Sequence, residues 1–248
     1  MSDIDRRKFL KGGTAVLAGT VIAPGITLIQ VMAGENEESR ASSKNFWGMV
    51  IDANRCTEEC TACTQACRTE NNVPLFGDNR FDAYWIRKVK VTPKIEGAKS
   101  FSLPLLCNHC EYPPCQHVCP VAATFTRKDG IVLIDKHICI GCRYCMIACP
   151  YKARSFVFKK TTEWTNKDVP KRSKGVVEKC NFCVHLVDKG ELPACVEACN
   201  MSGEKAMLFG NLNDPESEIS KYLREHAPRG LRVDLGLKPK VFYRGLNA

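Results

Sequence analysis

The chain has 248 residues, of which 44% are hydrophobic and 25% charged, with a formal charge of +9. That length and apolar content allow one large or two small domains with an ordinary core. The excess of Lys and Arg does not point to nucleic acid, because those residues are scattered rather than gathered on one basic face. The exceptions are short runs such as Lys159-Lys160 and Lys171-Arg172, which read as solvated surface.

In chain order, residues 1–33 read as an address rather than as part of the fold. Asp5-Arg6-Arg7-Lys8-Phe9-Leu10-Lys11 resembles the twin-arginine export motif, with Asp5 where Ser or Thr is usual. A weakly apolar, Gly-rich stretch follows to Ala33, and Val31-Met32-Ala33 offers a cleavage site. The stretch also approaches the length that spans a bilayer, so it is either removed or kept as an anchor. Twin-arginine export passes folded proteins, which suits a cofactor assembled before export. The expected location is the periplasmic side of the cytoplasmic membrane.

Residues 34–44 form a polar linker, 45–215 the main domain and 216–248 a C-terminal extension. A strand over 46–52 leads into the first of four cysteine runs: Cys56, Cys60, Cys63 and Cys67. Residues 81–91 contain the alternating stretch Trp85-Ile86-Arg87-Lys88-Val89-Lys90-Val91, which predicts another strand. The second run is Cys107, Cys110, Cys115 and Cys119. After it, strands at 124–126 and 131–134 flank Lys128-Asp129-Gly130, a hairpin signal. The third run is Cys139, Cys142, Cys145 and Cys149, ending in Pro150. Short strands are predicted at 155–158 and 207–209. The polar residues 160–178 read as a surface excursion before the fourth run, Cys180, Cys183, Cys195 and Cys199. The three-residue gap before each final cysteine suits one helical turn. Beyond Asn211 come turn residues, a helix near 217–225, and a Pro- and Gly-punctuated tail that packs on a partner or on the body.

The runs repeat. Val50-Ile51-Asp52 precedes Cys56 as Leu133-Ile134-Asp135 precedes Cys139, and Cys60, Cys63 and Cys67 recur 82 residues later as Cys142, Cys145 and Cys149. Cys107-Asn108-His109-Cys110 matches Cys180-Asn181-Phe182-Cys183, and each is followed by Pro-x-Cys-x3-Cys. A two-run unit has therefore been duplicated.

Three chemistries compete for sixteen cysteines. Disulfides suit an exported protein, but cysteines two residues apart in repeated runs would close strained local loops. Zinc suits isolated C-x2-C pairs, and four-cysteine runs supply more thiolates than one tetrahedral ion needs. The third run reads C-x2-C-x2-C-x3-C-P, the bacterial ferredoxin pattern for 4Fe–4S clusters, in which the fourth cysteine ligates the other cluster. Four such oxidised sites, at about −2 each, would nearly cancel the chain's positive charge. C-x-x-C-H is absent, so covalent haem is not indicated. No G-x-G-x-x-G, P-loop, nucleophile–base pair or substrate site is present.

With these residues in view, the chain resembles the four-cluster ferredoxin-like subunits that serve the dimethyl sulfoxide reductase and NrfD families. The likeness rests on Cys107-Asn108-His109-Cys110-Glu111-Tyr112-Pro113-Pro114-Cys115, on 130–135 and 139–145, and on 192–199 and 210–215. Within that family it looks most like the DsrO-type subunits of DsrMKJOP complexes. The resemblance implies an α+β fold of duplicated ferredoxin-like modules, with short antiparallel strands and short helices around four 4Fe–4S clusters.

It also implies crossed ligand sets. One cluster takes Cys139, Cys142, Cys145 and Cys119, and its neighbour Cys107, Cys110, Cys115 and Cys149. A third takes Cys180, Cys183, Cys195 and Cys67. The fourth takes Cys56, Cys60, Cys63 and Cys199. The first run departs from its repeat by one residue, C-x3-C-x2-C-x3-C, and Asn200 stands where proline follows Cys119 and Cys149.

The implied function is electron relay, with no catalytic residues. The implied partners are an NrfD-like polytopic membrane subunit (DsrP-like) and a multihaem cytochrome (DsrJ-like). The alternative is the iron–sulfur subunit of a molybdopterin reductase acting on polysulfide, thiosulfate or tetrathionate, or an NrfC-like carrier. His109, His117, His137 and His185 are expected at the surface or beside ligands, and Trp47, Trp85 and Trp164 in packing or interfaces.

Overall fold

The protein is described by a computed structural model covering residues 41–92, 94, 100–162 and 164–246. The expected twin-arginine segment and the linker up to residue 40 lie outside the described residues. Among those described, no helix is long and apolar enough to cross a membrane.

The fold is α+β. Strand β1 (Trp47–Asp52) is almost wholly buried and leads to the first cysteine run and helix α1 (Ala62–Asn71). A hairpin of β2 (Ile86–Val91) and β3 (Phe101–Leu106) follows. Then come α2 (Pro114–His117), β4 (Thr124–Thr126) and β5 (Val132–Ile134). Gly130 turns the β4–β5 hairpin at φ +82°, where a Cβ would run into the Phe46 ring. The second half continues with α3 (Tyr144–Ala148), β6 (Ser155–Phe156), β7 (Val177–Glu178), α4 (Val184–Val187), α5 (Ala194–Met201) and β8 (Met207–Asn211). Helix α6 (Glu218–His226) is capped by Ser217, whose hydroxyl accepts from the Ser220 N–H. Strands β9 (Arg229–Gly230) and β10 (Val241–Arg244) close the chain.

Strand pairing joins the ends of the chain and, separately, its middle. β1 runs antiparallel to β8, with Ile51 opposite Met207, and parallel to β10, with Met49 opposite Val241. β4 runs antiparallel to β5, with Thr124 opposite Ile134. The two pairings repeat in detail. The Asp52 N–H donates to the Ala206 carbonyl at 2.8 Å, and the Asp135 N–H donates to the Ala123 carbonyl at 2.7 Å. The carboxylates then accept from residues two further on, Asn54 N–H at 3.0 Å and His137 N–H at 2.8 Å. Each is an Asx turn that swings the chain from strand into cysteine loop.

Proline sets helix length. Cys119 and Cys149 precede Pro120 and Pro150, which disfavour helical geometry one residue earlier. Accordingly α3 stops at Ala148 and Cys149 is extended, with ψ 110°. Cys67 and Cys199 precede Arg68 and Asn200, and α1 and α5 run on through them and pack together.

One expectation needs correction. Residues 160–178 are not simply a surface excursion, because Thr161, Val169, Arg172 and Val176 are buried and 177–178 form β7. Of the two placements expected for the C-terminal tail, the described residues take the one on the body, with β10 between β1 and β9.

Candidate metal centres

All sixteen cysteines are free thiols. Cys107, Cys110, Cys115 and Cys149 line one small enclosed cavity together with Tyr151 and Arg154. Cys119, Cys139, Cys142 and Cys145 line a second, with Gly141 and Arg143. The third group is Cys67, Cys180, Cys183 and Cys195. Burial pushes Cys195 well above the ordinary thiol range, and Cys183, Cys67 and Cys180 push it further. In the fourth, burial moves Cys63 up to about 12, with Cys56, Cys199 and Cys60 adding to the shift. The structure thus brings together the same four crossed groups that the family resemblance implied.

The crossing follows from the strands. β8 and β1 pair, so the last thiol of the fourth run meets the first run; β4 and β5 pair, so the last thiol of the second run meets the third. Backbone donors mark both crossing points. The Ala206 N–H donates to Cys199 Sγ at 3.2 Å. At Cys119, burial raises the thiol, but the N–H groups of Thr124, Val121 and Ala123 outweigh it and bring the group below its ordinary value. Asn71, fully buried at the end of α1, donates from Nδ2 to Cys183 Sγ at 3.3 Å.

These groups fit 4Fe–4S clusters better than single ions. Among the described residues, no three His, Cys, Asp or Glu side chains stand close enough to share one metal ion. Each of the first two groups instead lines a cavity of its own. Buried charge points the same way, since a buried cation is normally paired. Arg154 is 5% exposed, and its neighbours are the thiols of Cys115, Cys145 and Cys107. Its Nη1 donates to Thr124 Oγ1 at 3.1 Å, and Nη2 has no partner. An anionic cluster held by these thiolates would supply the missing counter-charge.

The groups form a sequence through the protein. Cys145 and Cys115 both face Arg154, so the Cys139 group adjoins the Cys107 group. Cys180 faces Cys107, so the latter adjoins the Cys180 group. Cys63 faces Cys67, linking that group to the Cys56 group. The outer groups are the more open: Cys142 is exposed and Cys56, Cys60, Cys119 and Cys139 are half-buried, whereas in the middle groups only Cys149 is half-buried.

At the junction of the halves, the His109 ring stacks on Phe182 at 3.7 Å between centroids. These two residues hold equivalent positions in the repeat. His109 is fully buried rather than at the surface, and Nδ1 accepts from the Val132 N–H at 3.1 Å. Burial, with Lys179, Lys240 and Arg154 nearby, keeps the ring neutral by pushing its pKa well below the usual histidine range. His185 meets Glu70 at 2.6 Å. Trp47 stacks on Phe209 at 5.4 Å, and Trp85 lies under Arg172 at 4.6 Å. Sequence reasoning missed Arg154, Lys179, Arg172 and Lys240 as site residues. Their one signal was position, close in sequence to a cysteine run or to the C-terminal strand.

A family model described as a 4Fe–4S dicluster domain matches residues 98–212. The chain is 48% identical to the Hdr-like menaquinol oxidoreductase iron-sulfur subunit 1 of Archaeoglobus fulgidus, across 98% of this chain and 99% of that one. It is 37% identical to a tetrathionate reductase subunit of Salmonella typhimurium, across 99% and 90%. With protein NrfC of Escherichia coli it shares 36%, across 88% and 91%.

Proposed function

The chain belongs to the family of 4Fe–4S iron–sulfur subunits of oxidoreductase complexes, and from that premise we propose that it relays single electrons between a membrane subunit and a second redox partner, with no substrate site of its own. It carries multiple 4Fe–4S clusters. The proposal assigns four, one to each thiol group, with the ligand sets given above. The observation that carries it is the crossed grouping, in which β1–β8 and β4–β5 each deliver the last thiol of one run to another. When bound, each cluster supplies a one-electron couple. The protein holds the thiolates, buries all four of the Cys180 group and all but Cys149 of the Cys107 group, and leaves the outer two groups nearer the surface.

The two ends differ in surface chemistry. Around the Cys139 group stand Ile140, Tyr144 and Ile147, the last 83% exposed. Around the Cys56 group stand Arg55, Glu58, Lys88, Lys90 and Glu204, partly paired with one another, as in Lys90–Glu58 at 2.9 Å, with Met201, 82% exposed, as an apolar side chain just past Cys199. Exposed apolar surface suits a lasting contact with an apolar protein, and a charged rim suits a reversible one. We therefore place the membrane subunit at the Cys139 end.

The finer reading is a DsrO-type subunit on the periplasmic face, exported by the twin-arginine route, beside a DsrP-like membrane protein and a DsrJ-like cytochrome. The likeness to the tetrathionate reductase subunit over 90% of its length favours a second reading, in which the partner is a molybdopterin reductase. Anaerobic metal analysis of the complex from its own membrane separates them. About sixteen non-haem irons per copy, with haem and no molybdenum, is the expected result. Stoichiometric molybdenum selects the second reading, and little iron overturns the relay. Protease accessibility from the periplasmic side of the same membranes tests the location.

A further inference from the structure

Two of the four thiol groups are equivalent by the internal repeat, yet their electrostatic surroundings differ. Cys107, Cys110 and Cys115 match Cys180, Cys183 and Cys195, and all six are buried. Against the first group lie two buried cations. Arg154 faces Cys115 and Cys107, and Lys240, 2% exposed, faces Cys107 and Cys110. Neither has an ion-pair partner among the described residues. Lys240 Nζ is directed at the Gly130 carbonyl. The acids it faces, Asp129 and Glu111, are bound to Arg127 at 2.8 Å and Lys238 at 3.2 Å. The second group has its own cation, Arg172, beside Cys67 and Cys183, but that charge is matched by Glu178 at 3.6 Å. Lys179, 3% exposed, is a third buried cation that faces both Cys115 and Cys180, with Nζ donating to the Cys180 carbonyl at 2.7 Å, and it acts on both clusters.

We propose that Arg154 and Lys240 hold the 4Fe–4S cluster of Cys107, Cys110, Cys115 and Cys149 at a higher reduction potential than that of Cys67, Cys180, Cys183 and Cys195. This rests on the ligand sets proposed above. Reduction adds one negative charge, and an unmatched cation in a poorly screened interior stabilises the reduced state. An Arg–Glu pair largely cancels at the distance of the second cluster. Burial is not equal, since Cys149 is half-buried while Cys67 and its three partners are all buried. Deeper burial disfavours added negative charge on the second cluster and so acts in the same direction, and only the charge variants separate the two causes. One electron leaves the second cluster, which is oxidised, and enters the first, which is reduced; no proton moves. Arg154 and Lys240 thereby make the step between the two halves run downhill in one direction.

The test is an EPR-monitored redox titration of the complete membrane complex, with the two signals identified by their conversion in Cys110→Ser and Cys195→Ser. In the unmutated complex the Cys107-group cluster is expected to be reduced first. Arg154→Gln should lower its midpoint by about 59 mV, a tenfold change in electron partition. It should also lower the neighbouring Cys139-group cluster and leave the Cys195 one unmoved. Arg154→Lys should recover most of the shift, as a purely structural role would not. Lys240→Gln gives an independent reading if Arg154→Gln loses iron. Equal or reversed midpoints in the unmutated complex overturn the proposal, as does an unmoved midpoint in the neutral variants that keep their iron. Signals that fail to convert in the cysteine variants refute the ligand sets instead, a different outcome from a wrong order of potentials.

Discussion

Cys195 and Cys199 are four residues apart on α5, yet they serve different neighbours. Cys195 faces Cys183, Cys67 and Cys180 first and Cys63 more weakly, whereas Cys199 faces Cys56 and Cys63. Helical geometry explains the split. Residues four apart share a face and stand about 6 Å apart along the axis, so one helix can border two adjacent sites. Helix α1 does the same in the opposite sense, with Cys63 beside Cys199 and Cys67 beside Cys195. Cys199→Ala should therefore degrade the cluster of Cys56, Cys60 and Cys63 and spare the one containing Cys195, as read by EPR. Cys195→Ala should do the reverse. Loss of the Cys195-containing cluster on replacing Cys199 would restore uncrossed sets. Spacing alone made the runs legible as ferredoxin-like, but it could not say which distant thiol completes each set, because that depends on which strands pair. The buried cations were illegible for a different reason. A lysine or arginine in a sequence reads as surface, and Arg154 makes sense indoors only beside an anionic group.

Among the elements, most strands stood out: β1, β2, β4, β5 and β6 lie within the expected stretches, and β8 covers its expected stretch and runs two residues past it. β3, β7 and β10 did not stand out, each for a physical reason. β3 contains Pro104, which lacks a ladder donor and normally argues against a strand; it is tolerated because β3 pairs only with β2. β7 is two residues long and closes against β6. β10 is four residues in a tail full of turn formers, and it becomes a strand because β1 offers a free edge. That edge matters to the whole first site, since β1 leads into the Cys56 run. Val241 is fully buried opposite Met49, and Tyr243 donates to the Pro104 carbonyl at 3.2 Å. Val241→Asp would bury an unpaired carboxylate in this sheet, at a cost of about 3 kcal/mol or more. The expected outcome is a fall of several degrees in the thermal midpoint of the holoprotein and a lower yield with iron bound. An unchanged midpoint would mean that β10 contributes little to holding β1.

At the scale of the molecule, the duplication yields a wire whose ends are not alike. The half-buried thiols at both ends let electrons enter and leave, while the Cys180 group between them is wholly buried and the Cys107 group buried except at Cys149. Symmetry of the repeat would give both ends the same rim, but the loops diverged: Ile140 lies between Cys139 and Cys142, where the first run has Thr57, Glu58 and Glu59 between Cys56 and Cys60. If the Cys139 end docks on an apolar membrane subunit, a charge placed there should cost association without touching the interior. Ile147 suits the test because its side chain supports no packing within the chain, being 83% exposed on α3. Ile147→Glu should keep its iron content and thermal midpoint and lose co-purification with membranes, by about tenfold if the carboxylate is desolvated at about 1.4 kcal/mol or more. A control at the opposite rim, Lys90→Glu, should leave membrane attachment intact while altering the salt dependence of electron transfer to the second partner. Should Lys90→Glu detach the protein and Ile147→Glu leave it bound, the wire runs the other way round, with the charged end at the membrane.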